Sequence, residues 1–488
     1  MNTCVLSRRA ASLIFAVAGL GGGLMFAADG PPGPLVFDQG RGTFEFIERL
    51  RFEDRSENFD FNSAARSPTD DSWFVQRIRV GVTWKPAPGW SLQAQLQDAR
   101  EWGSDRPKVP FILGAEGNDS LDLRLASVTW SDPKNSPFSF TLGRQVLSVG
   151  EERLVGPGDW NNFARTFDAA KASWTLVPAK TTLTAFFGSV VHVEETHQGD
   201  GWKMNRSSAD DLFGGLVLTQ KIDSLQTAEG YVFWRDKKDN GPVYVATDPS
   251  VPAAARNAAA YDIGQNVVTI GGRFVRAPRE GALDGEFEAA FQGGSVDRQT
   301  TAATGSYAGS DASLDQRAWA LHALLGYTPP GFPAKLRVNV EYNAASGDTN
   351  RNDGRNGSFM NLFPSNHKFY GFMDAFAWKN LRETVATVRC TPVKNATLRV
   401  DYHWFSLATN QDAWYRANGV ATVRPLNAAA QSAPKRAGDE LDVTGSWTPR
   451  AWLALDVGWS RFFAGSYLRA TGAASDADFF YAQTTLKF

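Results

Sequence analysis

The strongest constraint on this chain is a short reversal that returns eight times: TWKPAPGW (83–90), TWSDPKNSPF (129–138), TLVPAKTTL (175–183), TQKIDSLQ (219–226), VRAPREGAL (275–283), YTPPGFPAKL (327–336), CTPVKNATL (390–398) and SWTPRAWL (446–453). Proline suits such sites because its fixed φ favours reversal and its missing N–H does no harm outside a ladder. The segments between reversals alternate with a period of two. In WFVQRIRVGVTW (73–84), Phe74, Ile78, Val80, Val82 and Trp84 share one face and Val75, Arg77, Arg79, Gly81 and Thr83 the other. In ATLRVDYHWFS (396–406), Leu398, Val400, Tyr402 and Trp404 oppose Arg399, Asp401, His403 and Phe405. WSLQAQLQ (90–97) and AKLRVNVEYN (334–343) behave alike. Each reads as a strand with one apolar and one polar face.

Length decides between a soluble sandwich and a membrane wall. Soluble strands run about 5–6 residues and tilted membrane strands about 9–11, which is what these segments reach. Aromatic residues close many of them, as in Trp73, Trp84, Trp90, Trp447 and Trp452, where a bilayer interface favours amphipathic rings. Longer polar stretches near 54–72, 102–118, 150–164, 195–210, 237–262, 296–312, 347–381, 409–437 and 465–476 separate the hairpins. Eight tight turns, nine long loops and both termini on the tight-turn side predict 18 strands. The expected fold is all-β: a single transmembrane antiparallel β-barrel with short periplasmic turns and long extracellular loops. The last strand, DADFFYAQTTLKF, ends on Phe488, and closure matters because lipid cannot satisfy an open edge.

A chain of 488 residues would ordinarily suggest several soluble cores, because one core seldom grows beyond about 250–300 residues. A barrel removes that limit. Residues 1–28, with Arg8, Arg9 and an apolar run to Phe26, read as a signal peptide; 29–41 is expected as a short periplasmic segment and 42–488 as the barrel. No later run is long and apolar enough for a spanning helix. Cys390 is left alone once Cys4 leaves with the signal, so no intrachain disulfide is expected. The formal net charge of −2 decides nothing about partners.

Arginine marks the inner face. Parity puts Glu45, Ile47, Arg49 and Arg51 of GTFEFIERLRFE inside and Phe44, Phe46, Leu50 and Phe52 outside, with Glu48 an unwelcome outward acid that suggests a bulge or the rim. Arg77, Arg79, Arg273, Arg337 and Arg399 fall inward by the same count, and Arg124 and Lys171 are placed with them. Paired with Glu45, Glu286, Glu288, Glu341, Asp401 and Asp442, they could simply brace a wet wall. As a ladder of fixed charge they would replace water around a passing carboxylate, which the planar guanidinium grips at two points.

Two long passages are more specific. GRQVLSVGEERLVGPGDWNNFARTFDAAK (143–171) and ASGDTNRNDGRNGSFMNLFPSNHKFYGFMDAFAWKNL (345–381), with LQDAREWG (96–103) and GWSRFFAGSYL (458–468), resemble the alginate export family of outer-membrane proteins from about residue 40 onward. The resemblance implies an 18-stranded barrel through which a polyuronate leaves the periplasm past an arginine-rich constriction, to which it adds Arg144, Arg153, Arg165 and Arg461. Tight turns leave no candidate for a periplasmic plug, so a gate is expected from the loops at 347–381 or 409–437.

DTNRNDG (348–354) has calcium-like spacing at Asp348, Asn350 and Asn352, but its glycine comes one place late and no glutamate follows, so a plain loop is the expectation. None of His192, His197, His322, His367 and His403 stands in a nucleophile motif, and no enzyme, metal or cofactor is expected. His367 is read as a residue that holds its loop. The sequence therefore points to a monomeric outer-membrane channel for passive export of an anionic polysaccharide. Its partners would be outer-membrane lipid and periplasmic export or scaffold proteins, not nucleic acid. The alternative is a porin for small organic acids.

Overall fold

The computed structural model describes residues 35–57, 60–64, 70–105, 118–193, 204–238, 241–242, 261–262, 264–297, 313–420, 422–424 and 426–488. The signal peptide and much of the loops near 102–118, 195–210, 237–262 and 296–312 lie outside the described residues. Eighteen antiparallel strands form a closed barrel. In chain order they are β1 (Gly42–Ser56), β2 (Asp71–Trp84), β3 (Trp90–Trp102), β4 (Asp119–Ser131), β5 (Phe138–Gln145), β6 (Phe167–Val177), β7 (Thr181–His192), β8 (Arg206–Lys221) and β9 (Gln226–Lys237). Then come β10 (Gln265–Arg276), β11 (Leu283–Asp297), β12 (Ser313–Tyr327), β13 (Arg337–Ala345), β14 (Leu381–Cys390), β15 (Ala396–Leu407), β16 (Arg436–Arg450), β17 (Leu453–Ala464) and β18 (Ala477–Lys487). Each strand pairs with the next, and β18 returns to β1 with Arg51 opposite Gln483. The edge that lipid could not satisfy is thereby removed.

All eight reversals, seven of them marked by proline, lie at tight turns between consecutive strands, such as 85–89 between β2 and β3. Gly89 there takes φ +79, a conformation that a side chain would strain. The opposite rim carries the long connections, of which 146–166, 346–380 and 408–435 matter below. Outward positions are apolar and exposed, among them Val80, Leu92, Leu96, Leu216, Ile270, Phe291, Leu325 and Val340. Trp84, Trp90, Phe138, Trp174 and Trp447 mark the tight-turn rim, and Trp102, Trp319, Trp404 and Trp459 the other.

Glu48 is no bulge. The β1–β2 register runs unbroken through it, and its carboxylate faces outward, accepting a hydrogen bond from Gln76 Nε2 at 2.6 Å. Two polar groups thus satisfy each other on the lipid side. Since charge on that face destabilises a barrel wall, the double change Glu48→Leu/Gln76→Leu should stabilise the protein by about 1 kcal/mol. A urea titration in lipid checks this, and a lowered midpoint would contradict the outward placement.

The inner face departs from the expected uniformly polar lining. Arg49, Arg51, Arg77 and Arg79 are buried on β1 and β2, but Phe167, Phe186, Phe213, Tyr231 and Phe233 on β6–β9 also point inward and are buried. Phe363 of the loop 346–380 covers two of them, its ring lying 5.1 Å from Phe167 and 4.8 Å from Phe213. An aromatic stretch of inner wall is stable because a loop, not water, meets it. Both loops expected to gate are folded inward, with Phe359, Phe376, Trp378 and Trp414 fully buried. The loop 146–166 joins them through Leu147, Leu154 and Val155.

Candidate functional site: an arginine cage beneath an inward loop

Alternation alone brings the first arginines together. Arg49 lies opposite Arg77 in the β1–β2 register, with Arg51 and Arg79 one step away on the same face. Like charges directly opposite on neighbouring strands repel, so the group needs an anion. The loop 146–166 supplies one. Asp159 places Oδ2 3.0 Å from Arg77 Nη2 and Oδ1 2.9 Å from Arg79 Nη2, bridging the two guanidiniums. Its backbone carbonyl accepts from Arg49 at 2.7 Å and Arg77 at 3.1 Å. Arg49 also donates to Asn162 Oδ1 at 3.1 Å.

Trp160 completes the cover. Its carbonyl accepts from Arg51 at 2.8 Å, and the Arg51 guanidinium lies 3.9 Å over its ring. On its other side it stacks on His367 at 3.7 Å, which bonds Asp374 through Nδ1 at 3.0 Å. His367 therefore ties one inward loop to another.

Burial alone would raise the Asp159 carboxyl, but Arg77, Arg79 and Arg49 outweigh it and hold the group well below the ordinary carboxylate range. A depressed acid contributes stability that is complete above its ordinary value and lost only as pH falls through the lower folded value. The bridge therefore persists at neutral and mildly acidic pH. The Asp159 side chain nevertheless keeps half its surface, 50 %, open, while the guanidiniums of Arg77 and Arg79 beneath it are buried.

The wall from β11 to β16 is acidic. Glu288 (β11), Glu341 (β13), Glu383 (β14), Asp401 (β15), and Glu440 and Asp442 (β16) are inward and largely buried. Arg153 reaches them from the same loop, lying 3.1 Å from Glu341 and 3.2 Å from His322. Burial would weaken the Arg153 cation, but Glu341, Tyr370, Glu286 and Glu288 favour it more strongly. The loop thus presents an acid to the basic wall and a base to the acidic wall. Arg273 joins it, bonding Glu286 at 2.8 Å, Glu229 at 3.0 Å and Glu151 of the loop at 3.1 Å.

The other residues singled out in the sequence fall in different places. Arg124 is the additional residue at a β3–β4 bulge and donates to Gln95 at 2.8 Å, beside the cage. Arg165 is held by the carbonyls of Gly156 and Pro364, and burial with Arg235 nearby pushes its guanidinium down to about 10. Lys171 pairs with Thr141 on the inner face. Arg337, on Asp284, and Arg399, 2.7 Å from Asp401, lie inward near the tight-turn rim. Arg144 and Arg461 do not reach the cage. Arg144 shares strand parity with exposed Phe138 and Leu142 and forks onto Asp168, and Arg461 follows exposed Val457 and Trp459 and pairs with Asp476 and Asp478.

Two inward arginines near the long-loop rim escaped the sequence reading. Arg55, at the end of β1, bonds Glu53 and the carbonyl of Met373; Arg235 on β9 forks onto Asp211 and lies 4.3 Å over Phe363. Continuing the parity count past Arg51 and Tyr231 would have found both. In the loop 348–354, Asp348 and Asn350 cap their own backbone as successive turns. Among the described residues no group of three or more His, Cys, Asp or Glu suits a metal ion.

Comparison with known proteins agrees with this architecture. A search of curated proteins returned no match. Among solved structures, the chain is similar to Pseudomonas aeruginosa OccK5 (OpdH), with TM-score 0.54 and 12% identity over 92% of this chain and 98% of that one. It is also similar to Acinetobacter baumannii OccAB3, with TM-score 0.54 and 10% identity over 92% and 99%. For Pseudomonas aeruginosa OpdK with vanillate the TM-score is 0.52 and the identity 11% over 92% and 99%. At such identities the likeness concerns the fold. The alginate export family model matches residues 43–482, nearly the whole chain. This channel-like barrel of the outer membrane therefore belongs to the alginate export family.

Proposed function

We infer that the protein is a passive export channel for an anionic polysaccharide, an alginate-like polyuronate, with the Arg49, Arg51, Arg77 and Arg79 group as its selective element. The observation that carries this reading is the Asp159 bridge: two guanidiniums two residues apart on β2 already hold one carboxylate between them, at 3.0 and 2.9 Å. A uronate offers the same group. Substituting a sugar carboxylate for Asp159 conserves the charge pairing, and the loop swings away without leaving buried cations bare. The acidic stretch of wall on β11–β16 keeps each contact weak enough for the polymer to move on, as conduction requires. Nothing in the chain suggests coupling to an energy source, so supply from the periplasm would set the direction.

A porin for small organic acids is the second reading, favoured by the inward loops, which fill much of the bore in this conformation. Planar-bilayer recordings separate the two. The exporter should be anion-selective and blocked by oligouronates, and Arg77→Gln/Arg79→Gln should weaken the block at least tenfold, since each charged contact contributes roughly 1.5–3 kcal/mol. Oligouronates without effect on a channel that conducts small organic acids would decide for the porin.

A further inference from the structure

Three arginines stand abreast near the tight-turn mouth. The register sets Arg337 of β13 opposite Arg389 of β14, and Arg389 opposite Arg399 of β15. All three face the bore. Arg389 continues the inward series Leu381, Glu383, Val385 and Thr387, each almost fully buried, while the intervening Val388 is exposed on the outside. Arg337 is paired with Asp284 and Arg399 with Asp401. Arg389 is exposed and meets no acid or hydrogen-bond acceptor among the described residues.

Such a row is unfavourable in isolation. Directly opposed like charges destabilise a sheet, and Asp284 and Asp401 pair with Arg337 and Arg399 while Arg389 has no ion-pair partner among the described residues. The Arg399 side chain is also 37 % open, so Arg389 and Arg399 present adjacent guanidiniums to water at the mouth. Neighbouring strands lie about 4.8 Å apart, close to the length of one pyranose unit. Carboxylates on successive sugars could therefore meet successive strands.

We propose that Arg337, Arg389 and Arg399 form a capture site at the periplasmic mouth for the carboxylates of consecutive uronate residues, with Arg389 as its open member. This rests on the export reading but does not follow from it, because the cage lies on β1 and β2 and the row on β13–β15, separated by β16–β18. The row would raise the local polymer concentration where it enters and align a chain by its charges before it reaches Asp159. A single uronate would gain little from it.

The test uses the full-length protein in planar bilayers, with a uronate trimer or a monouronate added to one chamber at a time. For trimer added on the tight-turn side, Arg389→Gln should lower the association rate of blocking events roughly 3- to 10-fold, as expected for loss of local steering. The rate for loop-side addition in the same variant is the reference, and Arg389→Lys should restore most of the loss. The effect should shrink for the monouronate. Equal rates in wild type and Arg389→Gln, with Arg77→Gln/Arg79→Gln still weakening the block, would overturn the capture site and leave the export reading standing. Absence of trimer block in the wild type would overturn both.

Discussion

Alanine in place of Arg153 is expected to cost the loop 146–166 about 3–5 kcal/mol of local stability, the usual penalty for removing one partner of a buried ion pair. Arg153 is 5% exposed, and its guanidinium faces Glu341 at 3.1 Å, Glu288 at 4.0 Å and His322 at 3.2 Å. Without it the carboxylates keep their burial and lose their cation. Arg153 also lies 4.2 Å over Phe369, so alanine removes packing as well as charge. Arg153→Met keeps the volume and isolates the electrostatic part. Adding Glu341→Gln to it should recover a share of the loss, since contacting residues couple. Hydrogen exchange across 146–166 is the measurement. Full protection in both single variants would mean that Arg153 does not anchor the loop, whereas the barrel should keep its heat-modifiable migration throughout.

That separation between wall and loops also explains what the sequence made legible. In β2 and β15 the outer face meets lipid and most of the inner face is polar, so the alternation can be read without a structure, although Val75 and Phe405 face inward. The strand count, the eight tight turns and the closing strand follow from the same constraint. The inner aromatic stretch escaped because Phe167 and Phe213 meet a loop from far along the chain, and periodicity carries no record of such a partner. The inward packing of 346–380 was hidden for the same reason, although Phe359, Leu362, Phe363, Phe372 and Trp378 are far more apolar than a solvated loop allows.

The arginines divide along a similar line. Arg49, Arg51, Arg77 and Arg79 were found by parity and are brought together by register. Arg144 and Arg461 belong to the family-like motifs, and their strand parity places them with outward residues. Arg461 lies two positions after Trp459, so the parity rule and the motif were in conflict, and the structure follows parity. Near a rim a charged side chain on the outer face is tolerated, because the penalty falls toward zero at the interface.

The second large effect is expected at Trp414, in the loop 408–435. Its ring is fully buried where several chain segments meet: 4.7 Å from Phe376 of the loop 346–380, 6.0 Å from Phe61, 6.0 Å from Phe462 of β17 and 5.9 Å from Tyr467. Its Nε1 donates to the carbonyl of Ala375 at 2.8 Å. Trp414→Ala removes the ring and leaves that carbonyl without its donor, and deletions of this kind cost about 3–5 kcal/mol. The strand ladder does not depend on this ring, so the loss should appear as local opening of the inward loops and not as collapse of the barrel. Chloride conductance should rise and hydrogen exchange should quicken across 359–378 and 408–420, while Trp414→Phe, which keeps most of the stacking, should fall between alanine and wild type. If conductance is unchanged while the loops demonstrably open, they do not limit passage, and the barrier to ions must lie at the guanidiniums of β1 and β2.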